Sequence, residues 1–159
     1  MTVADGGVDP AGARMRSLPR AERGDLGQEV VAGRILVLDD KPRIASLISL
    51  VLSTAGYEVR AETDPHRALA TARAERIDLV LCDIVMPAMS GYDFCERLKS
   101  DPATCGIPFL FVTSKEEREG ALTGDIVGAD GYIEKPFDQD VLLAKVRETM
   151  ERNARRRSG

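Results

Sequence analysis

Two apolar runs of this chain stop on an aspartate: Arg34-Ile-Leu-Val-Leu-Asp39, followed at once by Asp40, and Asp78-Leu-Val-Leu-Cys-Asp83. A run that is apolar at successive positions, and not at every second one, reads as a strand covered on both faces. A parallel sheet with helices on either side provides that cover. The rest of the chain keeps the alternation. Pro42 suits a first helical turn, Ile44, Leu47, Ile48, Val51 and Leu52 recur at helical spacing, and Gly56 is a natural stop. A short strand is predicted over Tyr57–Ala61, a helix from Asp64-Pro65 to about Arg76, and a helix from Ser90-Gly91 to Ser100. Further strands are predicted at Pro108–Thr113 and Gly131–Glu134, with helices over Glu116–Val127 and after Asp138. Five strand–helix pairs in sequence predict a doubly wound α/β fold with a parallel five-stranded sheet.

Composition bounds the partners. The chain has 159 residues, 43% hydrophobic and 30% charged, which suits one globular domain. Residues 34–151 carry 14 basic and 21 acidic groups, so the body is acidic and nucleic acid is disfavoured as its direct ligand. Aromatic residues are 4% and Trp is absent, which leaves little for base stacking. No apolar run is long enough for a membrane span, and the first residues lack a basic start with an apolar stretch behind it. Cys82, Cys95 and Cys105 are an odd count without C-x-x-C, read as free thiols of a reducing cytoplasm. Residues 1–33 hold six Gly and two Pro with no sustained period and are expected to be largely disordered, with a short helix near Asp25–Val31. The expected folded region is 34–151, and residues 152–159, with four Arg, are expected to fray as a basic tail.

Ligands of doubly wound sheets bind at the carboxyl ends of the strands, where strand order reverses. This chain places Asp39-Asp40, Asp83, Thr113-Ser114 and Lys135 at those ends. Three carboxylates brought together repel, and either protonation or a cation relieves them. A site made only of oxygen ligands suits Mg²⁺, which keeps several waters and binds through few carboxylates plus a phosphate. One carboxylate is then free to act as a nucleophile toward phosphorus, with the Thr113 hydroxyl as donor and Lys135 as a positive charge for a phosphoryl oxygen.

These residues stand in motifs: Val37-Leu38-Asp39-Asp40, Leu81-Cys82-Asp83-Ile84-Val85-Met86-Pro87, Met89-Ser90-Gly91, Phe111-Val112-Thr113-Ser114, and Gly128-Ala-Asp-Gly-Tyr132-Ile-Glu-Lys135-Pro136-Phe137. Intervals are 44 residues from Asp39 to Asp83, 30 to Thr113 and 22 to Lys135. With all five in order, the stretch 34–151 resembles the receiver domain of bacterial response regulators. The resemblance implies a flavodoxin-like sheet of order 2-1-3-4-5. It implies that Asp83 is the phosphoacceptor and that Mg²⁺ is held by Asp40 and Asp83 directly, by Asp39 through water, and by the backbone carbonyl of Val85. It also implies that Lys135 binds the phosphoryl oxygen, that Thr113 and Tyr132 switch on activation, and that the Lys135-Pro136 peptide is cis. Val85 and Lys115 match the positions that flank the path of the hydrolytic water. Implied partners are a histidine kinase or histidine phosphotransfer protein, and a downstream target on the face of the fourth helix, fifth strand and fifth helix. A homodimer is a further option.

Other function classes ask for different residues. Alone, Asp39-Asp40 would read as a solvated strand end or a helix cap. Met86, Met89 and Phe137 read as packing and His66 as surface. A haloacid dehalogenase-type phosphatase needs Asp-x-Asp after a strand, which follows neither Leu38 nor Cys82. A flavodoxin-like electron carrier needs a phosphate-cradling loop where Asp39-Asp40-Lys41-Pro42 stands, and a P-loop is absent. The rival that stays open lies within the family: a receiver belonging to a longer regulator with a DNA-binding or enzymatic output part.

Overall fold

The computed structural model describes residues 32–119 and 128–158. The fold is that of the unit Gly33–Gly159. In chain order its elements are β1 (Arg34–Leu38), α1 (Pro42–Thr54), β2 (Glu58–Glu62), α2 (Pro65–Ala74) and β3 (Leu79–Asp83). They continue with α3 (Gly91–Ser100), β4 (Phe109–Ser114), α4 (Lys115–Glu119), β5 (Gly131–Lys135) and α5 (Gln139–Ser158). The five strands are all parallel, in the order β2-β1-β3-β4-β5. The chain leaves β1 toward β2 on one side and returns to β3 on the other, so the switch point lies between β1 and β3.

The two-residue period of each strand divides its apolar side chains between two layers. Ile35 and Val37 of β1, Leu79 and Leu81 of β3 and Leu110 and Val112 of β4 pack under α1 and α5. Leu36 and Leu38, Val80 and Cys82, and Phe109 and Phe111 pack under α2 and α3 on the opposite face. This is why β1, β3 and most of β4 are apolar without a gap: both of their faces are core. β2 is an edge, only partly buried, and carries Glu58, Arg60 and Glu62, as an edge that resists pairing with another chain should.

Local signals place the helix starts. Asp64, Ser90 and Asp138 accept from the backbone N–H of His66, Asp93 and Val141 at 2.9, 3.1 and 2.9 Å, capping α2, α3 and α5. α1 has no side-chain cap on Lys41, and Pro42 opens it. Behind it Gly56 takes φ +103, a conformation that favours glycine. Gly91 meets a different demand. Its N–H donates to the Ile84 carbonyl at 2.7 Å, and a Cβ there would collide with the backbone of Asp83 and Ile84. The first turn of α3 therefore lies directly against the end of β3, where the carboxylate of Asp83 is held.

Some boundaries differ from those expected. α4 starts one residue early, at Lys115, and the remainder of the expected helix from residue 120 to 127 lies outside the described residues, as does the expected short helix near Asp25–Val31. α5 continues through Ser158, so Arg155, Arg156 and Arg157, expected to fray, stand on helix. Arg156 pairs with Asp130 at 3.3 Å, which ties that last stretch back to the loop before β5. The Lys135-Pro136 peptide is cis. Among the described residues all three cysteines are free, Cys82 and Cys95 buried and Cys105 exposed, while His66 lies on the surface.

Candidate functional site

The switch point gathers three carboxylates. Asp39, Asp40 and Asp83 each offer an oxygen, and these oxygens lie within 4.8 Å of one another. The parallel pairing of β1 with β3 sets Leu38 beside Cys82, so the two strands end side by side and their next residues converge. Asp39 and Asp83 are each 1% exposed, and Asp40 is at the rim. Burial pushes the Asp39 carboxyl above its ordinary range and the neighbouring Asp83 charge adds to this, against a 2.9 Å hydrogen bond from the Lys41 N–H to its Oδ1. Asp39 Oδ2 is buried without a hydrogen-bond partner. That orphaned oxygen and the all-oxygen donor set fit a hard divalent cation such as Mg²⁺.

Two lysines face the cluster. Lys135, at the end of β5, places Nζ 3.4 Å from Asp83 Oδ1 and 4.0 Å from Asp39 Oδ2. Asp83 Oδ1 also accepts from the N–H of Ile84 at 3.0 Å. Lys41 was not among the expected site residues. Its Nζ lies 3.1 Å from Asp83 Oδ2, 3.2 Å from Asp40 Oδ1 and 3.4 Å from Asp39 Oδ1. Desolvation pulls the Lys41 ammonium down, but the hydrogen bond to Asp83 and the summed carboxylate charge outweigh it and hold the group firmly protonated. The one sequence signal was its place beside the acid pair, and Lys next to Asp-Asp is more often solvated than inward.

Thr113, one residue before the end of β4, is completely buried, and its hydroxyl is already committed: it donates to Glu117 Oε1 at 3.0 Å. The same carboxylate oxygen accepts from the N–H of Ser114 at 3.2 Å, while the Ser114 hydroxyl accepts from the N–H of Glu117 at 3.1 Å. Ser114 and Glu117 thus form a reciprocal capping box at the start of α4; Glu117 was not among the expected site residues, and the signal that could have found it is the local pattern Ser-x-x-Glu. Desolvation pushes the Glu117 carboxyl up, but these backbone and hydroxyl donors, with Lys135 beyond them, hold it below its ordinary range.

Tyr132 of β5 pairs in register with Phe111 of β4, and their rings stack with centroids 5.7 Å apart. Thr113 shares a face with Phe111 by the strand period, so hydroxyl and Tyr132 ring lie along one side of the sheet edge. Val85 follows Asp83 by two residues and is 54% exposed, and Lys115 is exposed at the start of α4. Met86 and Met89 are buried in the layer under α2 and α3, and Phe137 packs against the opposite layer, as expected of packing residues. Cys82, buried beside Asp83, donates to the Asp83 carbonyl at 3.1 Å and burial pushes its thiol far up, so it is inert.

Five parallel strands in this order with helices between them define a flavodoxin-like fold. Residues 35–147 match the family model of the response regulator receiver domain, more than half of the chain. The chain belongs to that family, the receiver domains of two-component systems. It is similar to the DNA-binding dual master transcriptional regulator RpaA of Synechocystis, 38% identical over 122 residues, covering 77% of this chain and 51% of that protein. It is also similar to the DNA-binding response regulator MtrA of Mycolicibacterium smegmatis, 38% identical over 120 residues, covering 76% of this chain and 51% of that one. The chain spans about half the length of these curated relatives. The structure of the chemotaxis response regulator CheY4 of Vibrio cholerae superposes with a TM-score of 0.69 at 32% identity, covering 74% of this chain and 98% of that one. Among the described residues no helix is long and apolar enough to cross a membrane.

Proposed function

We propose that the chain is a phosphorelay receiver that takes a phosphoryl group from a partner's phosphohistidine onto Asp83. The observation that carries this is the Asp39–Asp40–Asp83 cluster within 4.8 Å, with Lys135 3.4 Å from Asp83. In the reaction an Asp83 carboxylate oxygen attacks phosphorus. The P–N bond breaks, its electron pair returns to the protonated imidazole ring, which leaves neutral, and an acyl phosphate forms. Asp40, Asp83 and the Val85 carbonyl would hold Mg²⁺, with Asp39 acting through water, and the ion would neutralise charge on the phosphoryl oxygens. Lys135 keeps its ammonium beside the carboxylate and meets a phosphoryl oxygen as the negative charge arrives. Thr113 then turns its hydroxyl toward the phosphoryl group and the Tyr132 ring follows inward, altering the face made by α4, β5 and α5 that a downstream target or a second copy reads. The product is a conformational state, so the chain is a switch in the cytoplasm and not a turnover enzyme.

Incubation with acetyl phosphate and Mg²⁺, followed by intact mass and peptide mapping, tests the reading. One phosphoryl group on Asp83, absent from Asp83→Asn, is expected. A phosphoryl group retained in Asp83→Asn overturns the assignment.

A further inference from the structure

We propose that Glu117 is a positioning residue that holds the switch in its resting state by competing with the Asp83 phosphoryl group for the single proton of the Thr113 hydroxyl. The inference rests on the receiver reading and deepens it. The Thr113 hydroxyl has one proton to donate, and it is buried and donating to a carboxylate at 3.0 Å. A hydrogen bond to an ionised acceptor is among the strong kind, so turning toward a phosphoryl oxygen exchanges one charged acceptor for another. The net drive for the turn is then a difference between two similar terms, which is the condition for a bistable element. The other acceptor in reach, the Ser114 carbonyl at 3.4 Å, is too distant to hold the hydroxyl comparably.

The same carboxylate also carries the message outward. Glu117 Oε1 is shared between Thr113 and the Ser114 N–H, inside the box that starts α4. When Thr113 leaves, Glu117 loses its hydroxyl donor while its bonds to Ser114 remain. The first turn of α4 is therefore the first element beyond β4 whose hydrogen bonding changes. Glu117 touches no reacting atom and acts only through Thr113.

The test is a titration with beryllofluoride at saturating Mg²⁺, read by ¹⁹F NMR of the bound species. Parent, Glu117→Ala and Glu117→Gln are compared, and Glu117→Ala is repeated in a Thr113→Val background. Without the competing acceptor, half-saturation in Glu117→Ala is expected at about tenfold lower beryllofluoride, the scale of one lost charged hydrogen bond offset by solvation. Glu117→Gln keeps an acceptor oxygen without charge and should fall between the two. In the Thr113→Val background Glu117→Ala should change nothing, whereas a residue serving only as a helix cap would act equally in both backgrounds. Half-saturation unchanged or raised in Glu117→Ala, or an equal shift in both backgrounds, overturns the proposal. A parent that shows no bound fluoride species overturns the phosphoacceptor reading and this proposal with it, and is told apart because the variants are then silent too.

Discussion

The ammonium of Lys41 lies 3.1 Å from Asp83 Oδ2, across 42 residues of sequence, and the same nitrogen is within 3.4 Å of Asp39 and Asp40. One lysine therefore answers all three carboxylates that would hold a divalent cation. A metal entering there shares its ligands with a fixed positive charge, and like charges a few ångströms apart repel. Lys41→Gln is expected to tighten Mg²⁺ binding by about three- to tenfold; the side chain is half exposed, so solvent and salt screening hold the effect to that scale. Calorimetric titration of parent and variant at low and high salt checks it, and the gap should narrow as salt rises.

Gly91 lets the first turn of α3 lie against the end of β3. Gly91→Ala would drive a methyl group into the backbone of Asp83 and Ile84, neither of which can rotate aside. Destabilisation of about 2–3 kcal/mol is expected, the upper part of the usual range for overpacking. Urea unfolding would show a lower midpoint at an unchanged slope.

Asp101 links α2 to the turn after α3. It accepts from the Ala103 N–H at 2.9 Å and from Arg73 Nε at 2.7 Å, and these donors, the backbone one foremost, hold its carboxyl below the ordinary range. A carboxyl lowered by folding contributes stability above its unfolded value, and that contribution disappears as pH falls through the folded value. Asp101→Asn should therefore melt below the parent at neutral pH, and the two curves should converge as pH drops below the ordinary aspartate range. Thermal midpoints taken across that range decide it.

Val85 is 54% exposed beside Asp83 and is apolar, and Lys115 is exposed at the start of α4. Neither side chain offers an acceptor that would align a water for attack on an acyl phosphate, and alignment is where hydrolysis gains rate. The phosphorylated chain should hold its phosphoryl group for longer than the combined Val85→Asn, Lys115→Glu variant, by about tenfold or more. Loss of the label in purified protein, without a partner, is the measurement. Equal lifetimes would show that these two positions leave hydrolysis untouched.

The strands and helices were legible because each is a local pattern. Ile35 to Leu38 and Leu79 to Cys82 have to be buried on both faces, and only a covered parallel sheet does that for two such runs. Once the strands are parallel, the residues at their carboxyl ends share one edge, and there Asp39, Asp40 and Asp83 gather with Lys135 beside them. What lay beyond a linear reading is which partner each polar group takes. Lys41 turning onto Asp83 depends on a side-chain rotamer selected by neighbours brought close only when β1 and β3 stand side by side, whereas Thr113 donating to Glu117 is a local bond across four residues at the start of α4. Arg155 to Arg157, expected by composition to fray, stand on α5, where Arg156 pairs with Asp130 in a loop 26 residues away. Backbone periodicity and strand-end chemistry are written in the order of residues, and the pairings between side chains distant in sequence are decided by tertiary contact.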